Sequence, residues 1–442
     1  MANSYLNRTT GSPSNADKVT ISAWIKRTPG AEQVIIGEYG SSSNRSKLQF
    51  KSNDKLEYYQ VDGGSATVQI RTNRVFRDAS AFYHIVMQYD SAQSTASDRL
   101  KLYINGTQET SLAISTYPPQ NQDTRLNKSG VNLHIGQDGN SGNYFEGYIS
   151  HIALVDNAIS APTVFGETDS TSGIWKFKQP TGITWGTNGF HLKFENSGNL
   201  GLDSSGQTNN FATNGNLKQA LDTPSNVYAT LNPLAIPTSG GANTFSNGNL
   251  TITNSADAFR TTFGTLGVNS GKWYWEAKFL SGEMKQMIGI SKPQETMDFV
   301  GQSSGSWAWQ NENQRRYNNN SYTSYGSTAS SGDIIMVAFD ATNGAIWVGK
   351  NGTWFNSATQ SEIEAGTVTN AMYSSITMDD YFLPAFTVED SNIQVNFGNG
   401  YFGTTAVSSA QNPDDGIGIF EYDVPAGYRA LCTKSINAEE YS

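Results

Sequence analysis

The sequence predicts an all-β chain built from two antiparallel β-sandwiches. Three features predict it: apolar side chains that recur at a period of two, Asn-Gly pairs set between such runs, and a composition heavy in turn-forming residues. Val19, Ile21, Ala23 and Ile25 alternate with Thr20, Ser22, Trp24 and Lys26. Leu100, Leu102 and Ile104 repeat the pattern, as do Phe190, Leu192 and Phe194, then Trp273, Trp275, Ala277 and Phe279, then Ile393, Val395 and Phe397. Each set places its apolar side chains on one face of a pleated strand. Asn105-Gly106, Asn343-Gly344 and Asn351-Gly352 lie between strand-like runs. They read as tight hairpin turns, because the favoured two-residue turn needs φ > 0 at both central residues. A helical period is absent beyond a turn or two around 361–371.

The 442 residues exceed one ordinary sandwich, and about 100–200 residues per domain suggests two to four units. Apolar residues make up 37% and charged residues 15%, with 43 glycines and 12% aromatics, the mix that many short strands and tight turns require. A formal charge of −10 argues against nucleic acid or an anionic membrane as the main partner, since both select basic surfaces. The single Cys432 excludes an intrachain disulfide. The start of the chain has no basic segment followed by an apolar one, as a secretory signal would. No apolar run approaches the ~18–20 residues of a membrane span. Alternation lapses between 196 and 248 and again after Phe402. The expected organisation is therefore a first domain over 1–215, a linker over 216–240, a second domain over 241–403 and a C-terminal extension over 404–442.

Two ordered sets of segments resemble known families. The first is Thr20-Ile21-Ser22-Ala23-Trp24-Ile25-Lys26-Arg27, Phe82-Tyr83-His84-Ile85-Val86-Met87, Lys101-Leu102-Tyr103-Ile104-Asn105-Gly106, His134-Ile135-Gly136 and Phe145-Glu146-Gly147-Tyr148-Ile149-Ser150-His151-Ile152. It is similar to a laminin G-like, concanavalin A-type jelly roll, and the resemblance implies framework roles for His84 and His134. Phe165-Gly166-Glu167-Thr168-Asp169, Trp185 to Phe190 and Asp203-Ser204-Ser205-Gly206 resemble bacteriophage structural proteins that carry this domain. In the second half, Ser270-Gly271-Lys272-Trp273-Tyr274-Trp275-Glu276, Ile288-Gly289-Ile290, Gly332-Asp333-Ile334-Ile335, Trp347-Val348-Gly349-Lys350-Asn351-Gly352, Leu383-Pro384-Ala385 and Asn396-Phe397-Gly398 resemble a SPRY domain. The two resemblances imply bent sandwiches used for binding rather than chemistry.

Motifs that could carry chemistry divide as follows. Gly398-Asn399-Gly400-Tyr401-Phe402-Gly403 spells a dinucleotide fingerprint, but that motif works only where it opens a helix in a βαβ unit, so a turn is expected. A retaining glycosidase needs two carboxylates about 5–5.5 Å apart; the nearest approach in 1–212 is Glu167-Thr168-Asp169, which lies outside any alternating run. The four histidines, His84, His134, His151 and His191, are dispersed, with no partner at metal-ligand spacing. The oxygen-rich loop Asp138-Gly139-Asn140-Ser141-Gly142-Asn143 is not an EF-hand, because its sixth position is not glycine. Laminin G-like domains hold calcium at such rims, which makes Asp138 and Asn140 the calcium candidates; a plain polar hairpin loop is the rival reading, and no other cofactor is expected.

The richest candidate ligand surface is Trp307 and Trp309 with Arg315, Arg316, Tyr317, Tyr322 and Tyr325, set among Asn318, Asn319 and Asn320. Aromatic faces stack on sugar rings while Arg and Asn donate hydrogen bonds, so the set suits a saccharide or a protein epitope. Against this, the alternating tryptophans could fill the sandwich core. The expected function is a non-enzymatic virion component, a tail fibre, spike or capsid decoration, made in the host cytoplasm. It would bind other copies of itself, other virion proteins and a host-surface glycan or protein, as a homo-oligomer with a trimer as first guess. An architectural cement protein and a glycan hydrolase are the rivals.

Overall fold

In a computed structural model, residues 3–170, 172–236, 241–280 and 285–440 are described. The chain is all-β and divides into two compact units: 1–219 with 223–225, and 220–222 with 226–442.

The first unit is a sandwich of an eight-stranded and a six-stranded antiparallel sheet. The larger sheet runs Leu112–Thr116, Ser65–Val75, Lys55–Asp62, Asn44–Phe50, Gln33–Ser41, Asn132–Ile135, Tyr5–Thr9, Ala212–Asn214. The smaller runs Phe190–Leu192, Gly147–Asp156, Lys18–Arg27, Tyr83–Asp90, Leu100–Ile104, Thr107–Gln108. Val19, Ile21, Ala23 and Ile25 face the other sheet together with Ile85, Met87, Leu100, Leu102 and Ile104, so the period-two reading picks out the core face. The opposite face of the same strand is unexpectedly dry: Thr20, Ser22, Trp24 and Lys26 are all buried. Chain beyond 157 folds back over it and adds a small apolar cluster of Ala153, Val155 and Phe165 with Ile183 and Trp185.

The second unit repeats the plan. One sheet runs Thr244–Ser246, Thr251–Asn254, Ser391–Asn396, Lys272–Leu280, Ile334–Asp340, Ala345–Lys350, Thr353–Trp354, and Arg429–Ala430 pairs in parallel with Lys272–Leu280. The other runs Arg260–Phe263, Leu383–Val388, Met287–Ser291, Ser306–Gln310, Arg315–Asn318, Ser321–Ser324. Trp273, Trp275, Ala277, Phe279, Ile393, Val395 and Phe397 lie in the core between them.

Asn105-Gly106 and Asn351-Gly352 have φ of 48° and 80°, and 49° and 80°, the left-handed pair that a tight hairpin needs. At Asn343-Gly344 only the glycine is left-handed, at φ 63°. The turn anticipated around 361–371 is a short helix, Gln360–Glu364, closed by a capping box between Thr359 and Glu362.

Two segments that read as weakly patterned are structural. Ala229 and Leu231, inside the expected linker, are buried in the second core, and the Ala229 amide donates to the Leu431 carbonyl. The 404–440 segment lays Phe420, Val424, Tyr428, Ala430 and Cys432 over the outer face of the Lys272–Leu280 sheet, against Tyr274, Met336, Ala338 and Trp347. It then ends in a helix, Thr433–Glu440, that the sequence reading missed. The miss has a cause: Ser435 is its one buried residue, so no apolar stripe marks it.

Candidate functional site

The singled-out aromatic and arginine residues sit on three consecutive strands at the edge of one sheet of the second unit, and pairing register sorts them onto two faces. Trp309 pairs with Arg316 and Arg316 with Thr323; Ala308 pairs with Tyr317 and Tyr317 with Tyr322; Gln310 pairs with Arg315 and Arg315 with Ser324. Since side chains alternate across a strand, Trp307, Trp309 and Arg316 share one face, and Arg315, Tyr317 and Tyr322 the other.

The first face is the core. Trp309 is fully buried between Phe279 and Phe355, and its indole N–H donates to the Tyr325 carbonyl at 2.9 Å. Trp307 is partly buried at the margin of the same core, against Phe382. Tyr325 is also buried, and burial pushes its hydroxyl above the ordinary range. Trp309 and Tyr325 therefore cannot meet a ligand while the sandwich is intact, which corrects the sequence reading for these two: alternation showed that the tryptophans share a face but not which side of the sheet that face is. Arg316 emerges beyond the core edge. Its Nε donates to Thr323 Oγ1 at 2.8 Å, Nη1 donates to the Met372 carbonyl, and the guanidinium lies over the Tyr373 ring at 5.1 Å.

The second face carries a run of rings. Phe259 lies 5.5 Å from Phe299, Phe299 5.6 Å from Tyr317 and Tyr317 5.3 Å from Tyr322, centroid to centroid, and the Arg315 guanidinium stacks over Tyr322 at 3.9 Å. The loop bearing Phe299 reaches Tyr317 through Gly301, at φ 96°, where a Cβ would fall 2.4 Å from the Tyr317 Cβ; only glycine fits there. The run ends in solvent: Tyr317 is buried, whereas Tyr322 is 54% exposed on a strand whose four residues are all exposed. A hydrogen bond to Tyr317 raises the Arg315 guanidinium above its ordinary value, so its charge is permanent. Asn319 and Asn320, at φ 51° and 57°, form the tight turn that presents this edge. Phe259, Phe299 and Tyr373 escaped the sequence reading because they come from distant segments.

Asp138 and Asn140 form a self-satisfied turn. Asp138 Oδ1 accepts the Asn140 and Gly142 amides at 2.8 and 3.1 Å, and Oδ2 accepts Asn143 Nδ2 at 3.0 Å. The Asp138 carboxylate thus accepts three N–H donors from its own loop, as a polar hairpin turn does, and among the described residues no three His, Cys, Asp or Glu side chains converge on a metal position. The 398–403 glycines form a turn, with Gly398 and Gly400 amides on Asn396 Oδ1, and Tyr401–Phe402 forms a hairpin with Thr405–Ala406 rather than opening a helix. Glu167 and Asp169 are paired with Lys176 and Lys178. The dispersed histidines do not stay dispersed: on the outer face of the six-stranded sheet His151 lies 5.7 Å from His191, with Trp185 beside His191, and His84 is linked to His151 through the rings of Trp24 and Phe177, with Trp175 beside His84. Separations of tens of residues hid this from the sequence. Among the described residues no helix is long and apolar enough to cross a membrane.

Residues 2–165 match the family described as the concanavalin A-like lectin/glucanases superfamily, and residues 272–400 match the SPRY domain. The chain thus carries an N-terminal concanavalin A-like domain and a C-terminal SPRY domain, both kinds being typically non-catalytic binding domains. Among solved structures it is similar to the SPRY domain of human HERC1, at 18% identity over 37% of this chain and 96% of that one, with a TM-score of 0.29. It is also similar to the TRIM65 PSpry domain, at 14% identity over 38% of this chain and 88% of that one, TM-score 0.27. A native heptameric SAP-like pentraxin from Limulus polyphemus matches at 15% identity over 41% of this chain and 82% of that one, TM-score 0.30. No curated protein matches.

Proposed function

We propose that the chain is a non-catalytic binding protein of a bacteriophage particle, carried on the tail or decorating the capsid. Its SPRY unit engages a host-surface glycan or protein through the Arg315–Tyr322 edge. The observation that carries this reading is the stacked Arg315–Tyr322 pair, an exposed ring with a permanent cation beside it on a rigid hairpin. Such a site offers a stacking face and guanidinium donors together, and Asn319, Asn320, Ser321 and Ser324, all exposed, add donors and acceptors. The sequence likeness of 165–206 to phage structural proteins supports the particle setting, where arrayed copies raise weak, roughly millimolar sites to useful avidity.

The Arg315→Ala/Tyr322→Ala double variant is expected to lose at least tenfold in binding on a glycan array or to whole host cells. Its stability should stay within about 0.5 kcal/mol of the parent by thermal denaturation, because both side chains lie outside the core. A second reading, an architectural protein, is favoured by the fully exposed edge strand Ser321–Ser324, which is paired on one side and offers main-chain groups to another virion subunit. If the parent binds virion subunits but neither glycan nor host cells, that reading replaces the first. Depolymerisation of a polysaccharide by the pure protein would replace both with a hydrolase, and absence of the chain from purified particles by mass spectrometry would remove the particle setting.

A further inference from the structure

The burial of Trp24 and His84 on what should be a wet face has a specific cover. Gly166–Thr168 and Trp175–Phe177 pair with each other and, among the described residues, with no other sheet, forming a hairpin just beyond the matched concanavalin A-like region. Trp175 seats its indole where a Cβ on Gly106 or Gly166 would come within 2.6 Å. His84 meets two indoles: Trp24 stacks on it at 4.5 Å and 9°, and Trp175 lies near-parallel to it at 5.9 Å and 16°. Phe177 stacks on His151 at 3.7 Å and 16°.

We propose that this hairpin is a proton-released strap, closed over the Trp24–His84 face at neutral pH and freed when His84 and His151 are protonated. The hydrogen-bond pattern around His84 dictates the direction. Trp175 Nε1 lies 3.0 Å from His84 Nδ1, and an indole N–H can only donate, so Nδ1 is the bare acceptor. The proton sits on Nε2, which lies 2.9 Å from Ser22 Oγ. A second proton on the ring sets N–H against N–H and removes the bond that holds the indole. On His151, Nδ1 is buried without a hydrogen-bond partner, and the charged groups that face it add to the penalty. Lys193 disfavours the cation on both His151 and His191; Asp203 favours it only on His191, and His191 itself bears on His151.

Phe177 also meets the Trp24 ring edge-on at 6.3 Å. The strap's ion pairs, Lys176 with Asp169 and Glu167, and Lys178 with Glu167, lie within the hairpin and its immediate continuation, and Ile174 is 66% exposed. Burial is the largest cause that holds His84 and His151 at about 3 and His191 at about 4, and the sole one at His84. The closed state thus binds fewer protons than the open one, so closure is complete above pH ~6.5 and is progressively lost as pH falls towards ~3. At pH 5 each released ring shifts the balance about thirtyfold towards opening, and the two strap-contacting rings together about a thousandfold. Opening bares Trp24, His84 and the freed Trp175, an aromatic face absent at neutral pH.

Hydrogen exchange by mass spectrometry on the full chain at pH 7.5, 6 and 5, corrected for intrinsic rates, tests the proposal. Exchange across 166–177 should rise by two orders of magnitude or more by pH 5, while Lys18–Arg27 and Tyr83–Asp90 stay protected. The His84→Gln/His151→Gln variant should lose most of that slope. The proposal is overturned if strap and sheet lose protection together, if the strap does not respond, or if the variant keeps the full slope. Should the variant fail to fold, imidazole NMR of the parent decides: proton uptake by His84 and His151 must coincide with strap exchange, and uptake near pH 6.5 with the strap still protected sinks the idea.

Discussion

Replacing Glu276 by Leu is expected to lower the stability of the SPRY unit by on the order of 3–5 kcal/mol and to release the 404–440 segment. Glu276 lies fully buried on the strand Lys272–Leu280. Its Oε1 accepts the Tyr422 amide at 2.8 Å and the Tyr274 hydroxyl at 3.0 Å; its Oε2 accepts the Glu421 amide at 2.9 Å and Asn396 Nδ2 at 3.3 Å. An apolar side chain of similar size leaves all four donors dry, and each such loss costs about 1–3 kcal/mol before relaxation. Two of the four are main-chain amides of the tail, so the loss falls where Phe420 and Val424 cover the sheet. Denaturant unfolding gives the magnitude, and hydrogen exchange over 404–440 gives the place; parent-like exchange there would refute the clasp.

The same carboxyl sets a pH dependence opposite to that of the strap. Burial pushes Glu276 up to about 7 from an ordinary 4.5, against the four hydrogen bonds that pull it down. A raised carboxyl keeps its proton in the folded state after the unfolded state has lost it. Its contribution is therefore whole below pH ~4.5 and falls away as pH rises to ~7, by roughly 3 kcal/mol. Over much the same interval the buried histidines make the first unit gain stability with rising pH. Glu276→Gln should flatten the SPRY slope and leave the other untouched. It also strands one tail amide, because one carboxylate oxygen becomes an amino group.

What the sequence revealed and what it hid follow from the range of the signal. Alternation is local, so Val19, Ile21, Ala23 and Ile25 announce a strand face by themselves. It does not say what lies opposite. For Ser306–Gln310, with tryptophans at alternate positions, only pairing to Arg315–Asn318 and the facing sheet decides that Trp309 is core and Tyr322 surface. The strap is harder still. His84, His151 and His191 lie on separate strands, two of them neighbours only because Gly147–Asp156 pairs with Phe190–Leu192. The tail was unreadable because Phe420, Val424, Tyr428 and Cys432 enter the core from irregular chain and Ala430 from a two-residue strand, too short for any period to be detected.

Arg125→Met is expected to destabilise the concanavalin A-like unit by about 3–5 kcal/mol, and adding Glu38→Leu to recover much of that loss. Arg125 opens a buried turn, Arg125–Asn127, on the connection between Leu112–Thr116 and Asn132–Ile135, both strands of the eight-stranded sheet. Its Nε and Nη2 donate to Glu38 Oε2 and Oε1, both at 2.9 Å, and Nη1 reaches Asp62 Oδ1 at 3.2 Å and Asn44 Oδ1 at 3.3 Å. Glu38 is 2% exposed, so without the guanidinium its charge is left in a dry interior; removing both charges replaces that penalty with apolar contact. The backbone of the turn is held independently by the Arg125 amide on Gln60 Oε1 and the Thr124 hydroxyl beside Tyr58, which is why the double variant should refold to the same sandwich. Equilibrium urea unfolding of parent, both singles and the double closes the cycle. Losses that simply add would show that Arg125 and Glu38 stabilise the unit separately, and the turn would then be a packing element rather than an ion-paired one.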